Sequence, residues 1–221
     1  PDRQRATMAL AAVLIVTVLP TALGQVAAIA AGSAAGTLWC RQSTVSAAGH
    51  LPVQITRRLG MLLIVLFFLL LIGLPLAVTV WPAQALALFE AFYRAGALVF
   101  GGGHVVLPLL EESVVGSGWI SQDVFLAGYG AAQAVPGPMF SFAAYLGAAM
   151  PGDQGGITGA SVALIAVFLP GFLLLSGILP LWRLLSGHPA AAMVIAGVNA
   201  AVVGLLLLVW PLQEGLIHVF I

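Results

Sequence analysis

Two apolar stretches of the sequence are interrupted by residues that break α-helices. The interrupting residues are Gly101, Gly102 and Gly103 in the first stretch and Pro136, Gly137 and Pro138 in the second. In lipid, a broken helix leaves backbone N–H and C=O groups without partners, which is costly unless something else binds them. The half-helix after a break begins with free N–H donors and roughly half a positive charge. The two breaks therefore predict a site for an anion inside the bilayer, as in transporters with interrupted helices.

The two breaks differ in their local chemistry. Three consecutive glycines also suit close packing between membrane helices, but they lower helix propensity strongly, and His104 follows them directly. Two prolines around one glycine remove two N–H donors and disfavour helical geometry in the preceding residues. A simple kink needs one proline, so this motif predicts an unwound segment and a new half-helix from Met139.

Polar side chains near the breaks are candidates for anion binding. Gln133 lies one turn before the Pro-Gly-Pro motif and suits contact with a ligand or with the broken backbone equally well. Asn199 lies in another apolar segment, where hydrogen bonding between helices is the default role of such a residue. The predicted anion-binding residues are Gly101, Gly102, Gly103, His104, Gln133, Pro136, Gly137, Pro138, Ser141 and Asn199.

Ionisable residues in apolar segments are candidates for coupling and for electrostatic attraction. Glu90 and Arg94 have the spacing of a helical ion pair. Arg94 either extends to the membrane interface or adds positive potential near the first break. Glu111 and Glu112 either mark the interface or include a proton carrier. His104 is the other proton-carrier candidate, because imidazole titrates near neutral pH.

Composition and motifs exclude several functional classes. The chain is 62% hydrophobic and 6% charged, far below the roughly 25% charge of a soluble domain. Its formal net charge of zero argues against binding to nucleic acid. The sequence contains no GxSxG, HExxH, Walker A or Cys/His metal motif. It therefore predicts a membrane protein that is not an enzyme and has neither a metal nor a cofactor.

The apolar segments predict an all-α bundle of transmembrane helices. One crossing needs about 20 apolar residues, so the charge-free residues 6–40 are interpreted as two short helices joined by a turn. Ser121 is predicted to cap a helix that has Asp123 in its first turn. The predicted helical segments, two of which contain the breaks, are about 7–22, 25–39, 59–80, 84–112, 124–150, 156–182 and 189–212.

The sequence around the breaks resembles the chromate ion transporter family. The resemblance rests on FGGGHVVLPLLE at 100–111, GW-S--FL at 118–126, GAAQAVPGPMFSFAAYLG at 130–147 and GVNAAVVG at 197–204. It covers residues 85–210. It implies an all-helical, multi-pass protein of the cell inner membrane that exports chromate by means of the proton gradient. Sulfate is the look-alike anion.

The resemblance also implies a division of the chain. Long members of the family have two homologous halves, each with a Gly-rich and a Pro-Gly-Pro element, whereas this chain has one copy. Residues 1–40 resemble the trailing helices of a preceding half, and 59–221 form the chromate-transporter-like domain. Residues 41–58 are polar and contain arginines, so the positive-inside rule predicts a cytoplasmic linker there. The expected partner is a homologous N-terminal half or a second copy. A sulfate or other oxyanion carrier and a non-transporting membrane assembly subunit are the alternatives.

Overall fold

The computed structural model describes residues 3–19, 22–40, 55–99, 103–134, 139–182 and 188–220. These residues form nine α-helices, with no β-strand among them, which confirms the predicted all-α fold. The helices are α1 Arg3–Val18, α2 Ala22–Trp39, α3 Arg57–Val80, α4 Gln84–Ala97, α5 Gly103–Val114, α6 Gln122–Ala134, α7 Phe142–Ala148, α8 Gly156–Ile178 and α9 Pro189–Phe220. Short 3₁₀ turns occupy Met139–Ser141, Gly152–Gln154 and Leu179–Leu181.

The chain divides into two compact units. The first contains α1, α2 and α9, and the second contains α3 to α8. This division follows helix packing, so it places the last helix with the first two. The division of the sequence into residues 1–40, 41–58 and 59–221 was based on homology between halves and not on helix packing. It stays a prediction.

In the first unit, α9 packs against α1 and α2 through small residues. A Cβ atom at Gly197 would lie 2.0 Å from the carbonyl oxygen of Gly32, and one at Gly204 would lie 2.3 Å from that of Ala9. Backbones that approach this closely gain the van der Waals contact on which association of membrane helices depends. Larger residues at these crossings would separate the helices.

In the second unit, α3 confirms the span predicted at 59–80 and its end at Trp81. Thr56 caps the helix, since its Oγ1 accepts a hydrogen bond from the N–H of Leu59 at 3.4 Å. Many apolar side chains of α3 are exposed, and Leu69 is 64% exposed. Such a surface suits lipid, whereas in water a large apolar patch promotes association.

Within the described residues, three helical segments are long and apolar enough to cross a membrane by length and composition: Arg57–Val80, Gly156–Leu181 and Ala190–Leu207. They coincide with the three uninterrupted spans predicted after residue 58. The two segments predicted to contain breaks are divided into shorter helices, which are too short to span the bilayer singly. The chain is therefore a helical membrane protein with interrupted helices.

Helix α4 positions the first break by packing one face against α3 and α8. Leu88, Phe92 and Ala95 on this face are buried, at the spacing that places residues on one side of a helix. Gly96 permits close contact with α8, because a Cβ atom there would lie 2.1 Å from the carbonyl oxygen of Val167. The end of α4 is therefore held tightly against α8.

Tyr93 joins α4 to α3, because its hydroxyl donates a hydrogen bond to the carbonyl oxygen of Phe67 at 3.0 Å. Tyr93→Phe is expected to lower the free energy of unfolding by about 0.5–1.5 kcal/mol, the usual net value of one hydrogen bond. The ring contacts with Phe67 and Phe89 would remain. Thermal unfolding in detergent measures the change. Tyr129→Phe is the matched control, since its hydroxyl shows no hydrogen bond within the described residues. Equal losses in the two variants would contradict this role of Tyr93.

Candidate functional site

The first break lies between α4 and α5. Helix α4 ends at Ala97, and α5 begins at Gly103, so Gly103 and His104 are the first two residues of α5. The helix ends on either side confirm the interruption predicted at the triple glycine. The other two predicted glycines, Gly101 and Gly102, lie outside the described residues.

The start of α5 has the properties of an anion site. The first four N–H groups of a helix have no acceptor within the helix. Helix α5 is 12 residues long and has no acidic residue in its first turn, so no side chain of that turn opposes an anion. An anion at this end would gain both backbone hydrogen bonds and a favourable dipole.

The second break lies between α6 and α7. Helix α6 ends at Ala134, and the chain continues as the 3₁₀ turn Met139–Ser141 before α7 begins. The half-helix expected from Met139 therefore starts with a tighter turn, and its α-helical part has only 7 residues. Its N-terminal field is weaker than that of α5, because fewer peptide dipoles are aligned. The motif itself, Pro136, Gly137 and Pro138, lies outside the described residues.

The segments that follow the two breaks pack together within the second unit. Cα atoms of the turn Met139–Ser141 approach those of α5, α6 and α8 to within 8 Å. The ring of Phe140 in this turn lies 5.7 Å from the ring of Phe168 in α8. One hydrophobic core includes residues of α5, of this turn and of α8. Two segments that the sequence placed about 35 residues apart are thus neighbours in the fold.

An aromatic cluster joins α6 to α7 across the second break. The ring centroid of Phe142 lies 5.2 Å from that of Phe125, 6.3 Å from that of Tyr129 and 6.0 Å from that of Tyr145. Gly128 makes room for the cluster, because a Cβ atom there would lie 2.0 Å from Cε1 of Tyr145.

The sequence analysis did not predict this cluster. Phe125 and Tyr129 are four residues apart, and Phe142 and Tyr145 are three apart. These spacings place each pair on one face of a helix, so they could have indicated that the two faces meet. The cluster positions the helices on both sides of the break.

The polar candidates fall into different parts of the fold. Gln133 lies in the last turn of α6, and Ser141 ends the 3₁₀ turn after the break; both are exposed. Asn199 is also exposed but belongs to α9, in the first unit. The contribution of these three side chains to anion binding stays a prediction.

The charged candidates have different surroundings. The predicted ion pair of α4 is present, with Nε of Arg94 3.2 Å from Oε1 of Glu90. Oε1 of Glu111 accepts a hydrogen bond from Nε2 of Gln122 at 2.8 Å, and Glu112 is exposed. Glu111 therefore joins the end of α5 to the start of α6, which is a structural contact. Whether Glu111 or Glu112 also binds a proton stays a prediction.

The start of α6 agrees with its predicted cap. Oγ of Ser121 accepts a hydrogen bond from the N–H of Val124 at 3.4 Å, and Asp123 lies in the first turn. Among the residues that the structure describes, no three His, Cys, Asp or Glu side chains are grouped as a metal site would require. The groups near the breaks are thus backbone amides, the ion pair of Arg94 and Glu90, His104 and neutral polar side chains.

Comparison with known families adds an independent observation. A family model described as chromate transporter matches residues 86–218, which is more than half of the chain. The chain is 34% identical over 133 residues to the probable chromate transport protein of Synechococcus elongatus, an alignment that covers 60% of this chain and 32% of that protein.

Two further relatives show similar levels of identity. The chain is 34% identical over 96 residues to the chromate transport protein of Pseudomonas aeruginosa, covering 43% of this chain and 22% of that protein. It is 39% identical over 114 residues to the uncharacterized transporter YwrB of Bacillus subtilis, covering 51% and 54% of the two chains. The matched regions thus span about half or less of each relative's length. Comparison with solved structures gives no significant match.

Proposed function

This chain belongs to the chromate transporter family, and on that premise we propose that it transports chromate, a tetrahedral divalent oxyanion, across the cell inner membrane as a multi-pass protein. The observation that supports this function best is the packing of α5, which begins at the triple glycine, beside the turn that follows the Pro-Gly-Pro motif. Relatives named as chromate transport proteins support chromate as the substrate. The protein acts as a carrier rather than as an enzyme.

The proposed site uses N–H donors rather than a metal or a cofactor. Backbone N–H groups of residues 102–104, 137, 139 and 140 bind the oxyanion, and the side chains of Gln133 and Ser141 supplement them. Because α5 has the longer dipole and no acid in its first turn, it provides the stronger attraction. Arg94, in the last turn of α4, adds positive charge immediately before the first break.

The proposed mechanism is alternating access around the two breaks. The short helices beside each break can tilt more easily than continuous spans, so access can change from one side of the membrane to the other. Transport is outward and coupled to the proton gradient, as the family resemblance implies. His104, Glu111 and Glu112 are the proton-carrier candidates of this scheme.

A complete transporter is proposed to need a second set of breaks. The alignments cover 22% and 32% of the two chromate transport proteins compared above. A homologous N-terminal half, or a second copy of the chain, would supply the other part of the site. The bilayer contacts the exposed apolar side chains of α3.

An anion-dependent thermal shift tests the proposed function. The purified chain is unfolded by heat in detergent with chromate, sulfate or chloride at equal ionic strength. A ligand at about 100 times its Kd stabilises the folded state by about 2.7 kcal/mol, so chromate should raise the melting temperature above its value in chloride. A larger effect of sulfate would favour a sulfate carrier. Equal melting in all three salts would contradict anion binding by this chain on its own.

A further inference from the structure

The ion pair of α4 is unequal in its exposure to solvent. The side chain of Arg94 is 51% exposed, whereas that of Glu90 is 12% exposed. Oε1 of Glu90, the atom 3.2 Å from Nε of Arg94, is fully covered by protein and lacks a hydrogen bond, because the two groups are not aligned for one. The carboxylate is therefore held by charge attraction alone at this oxygen.

This geometry differs from that of an ordinary surface ion pair. In a surface pair both groups are hydrated, and the interaction contributes little. An ionised carboxylate with a covered oxygen and no hydrogen bond there is costly, and binding a proton removes that cost. The guanidinium has five N–H donors, and Glu90 is its only acidic partner within the described residues. Within this pair, binding a proton stabilises Glu90, and binding an anion stabilises Arg94.

Few other charges lie on the helices that pack against α4. Helix α8 has no titratable residue, and α3 has only Arg57 and Arg58, in its first turn. Phe67 marks where α3 contacts α4, because Tyr93 bonds to it. At a rise of 1.5 Å per residue, Arg58 lies about 14 Å along α3 from Phe67. Helix α5 carries His104, Glu111 and Glu112, of which Glu111 is bonded to Gln122. The acid nearest to Arg94 in the described part of the chain is thus Glu90.

We propose that Glu90 is the residue whose protonation releases Arg94 for the oxyanion, so that one proton and one anion bind together. This inference rests on the proposed function. When Glu90 is ionised, its carboxylate competes with the anion for the guanidinium. When a proton from water binds to the carboxylate, the competitor becomes neutral and Arg94 attracts the anion. No covalent bond other than the O–H bond of Glu90 forms or breaks.

The coupling has a definite sign. By linkage, if the proton favours the anion, then the anion favours the proton by the same factor. A dianion that travels with one proton moves one net negative charge, which an inside-negative membrane potential drives outward. The proton itself moves against the pH difference, so the membrane potential is the part of the proton gradient that drives export. In this inference Glu90 binds the coupled proton, and His104, Glu111 and Glu112 stay separate predictions.

The test measures chromate binding to the purified full chain as a function of pH. In the wild type, affinity should rise as pH falls, by up to about tenfold per pH unit while Glu90 takes up its proton. Glu90→Gln should bind chromate with the affinity that the wild type has at low pH, without this dependence. Chromate itself titrates near neutral pH, so each variant is compared with the wild type in the same solutions. Asp123→Asn, which removes an exposed carboxylate of α6, should keep the wild-type profile.

Two outcomes would overturn the inference in different ways. A wild-type pH profile in Glu90→Gln would refute the role of Glu90 and leave the proposed function intact. Absence of chromate binding to the wild type at every pH would refute both. If Glu90→Gln fails to fold, Glu90→Asp replaces it, because the shorter acid should keep the pH dependence but move its midpoint. An unmoved midpoint would then contradict the proposal.

Discussion

Replacement of Pro136 and Gly137 by alanine is expected to abolish chromate resistance while the protein remains in the membrane. Alanine favours a helix over proline by about 3 kcal/mol and over glycine by about 1 kcal/mol. Helix α6, which ends at Ala134, would then extend towards Met139. The backbone N–H groups proposed to bind the oxyanion would instead bond within the helix. Growth of cells in chromate measures the loss, and the amount of protein in isolated membranes measures its insertion.

A proline outside the breaks provides the control for this double variant. Helix α3 continues through Pro75, so Pro75→Ala changes a proline without restoring a broken helix. This control should keep resistance and membrane insertion. Full resistance in the variant at 136 and 137 would refute the proposed site. Loss of resistance in both variants would show that replacing a proline of a membrane helix abolishes resistance even outside the breaks.

Gly147→Ala should destabilise the second unit by about 3 kcal/mol, at the upper end of the usual cost of overpacking. A Cβ atom at Gly147 would lie 2.2 Å from the carbonyl oxygen of Gly159 and 2.7 Å from Cβ of Ala163. These are backbone and near-backbone atoms, so relief requires α7 to move away from α8. The aromatic cluster on α7 would move with it. Thermal unfolding in detergent measures the change.

Gly171 in α8 is the matched control for this substitution. An added Cβ atom there meets nothing within 4 Å, so Gly171→Ala should be neutral or stabilise by up to about 1 kcal/mol through helix propensity. The same melting temperature in both variants would show that the crossing of α7 and α8 is not tightly packed. A lower melting temperature in Gly147→Ala alone would support tight packing at this crossing.

Local features of this protein could be predicted from its residues. The helix that ends at Val80, the Ser121 cap, the pairing of Glu90 with Arg94 and the interruption near Gly103 were all predicted and are present. Each depends on neighbours within about four residues along the chain, where backbone chemistry and side-chain spacing determine the outcome. The broken helices and the membrane environment also follow, because apolar composition and the lack of N–H donors are properties of the residues themselves.

Contacts between distant segments could not be derived in this way. The packing of α9 against α1 and α2, the bond from Gln122 to Glu111 and the aromatic contact between α6 and α7 depend on which helix faces meet. Nearly every face of these helices is apolar, so hydrophobic periodicity does not select one.

The sequence by itself therefore determined where the helices lie and where they are interrupted. Only the tertiary structure decided that the segments after the two breaks are neighbours and that Glu90 is more buried than Arg94. The physical reason is that, in lipid, association of helices depends on close packing of small residues and not on apolar area. Such packing is a property of pairs of surfaces, and these pairs exist only once the chain has folded.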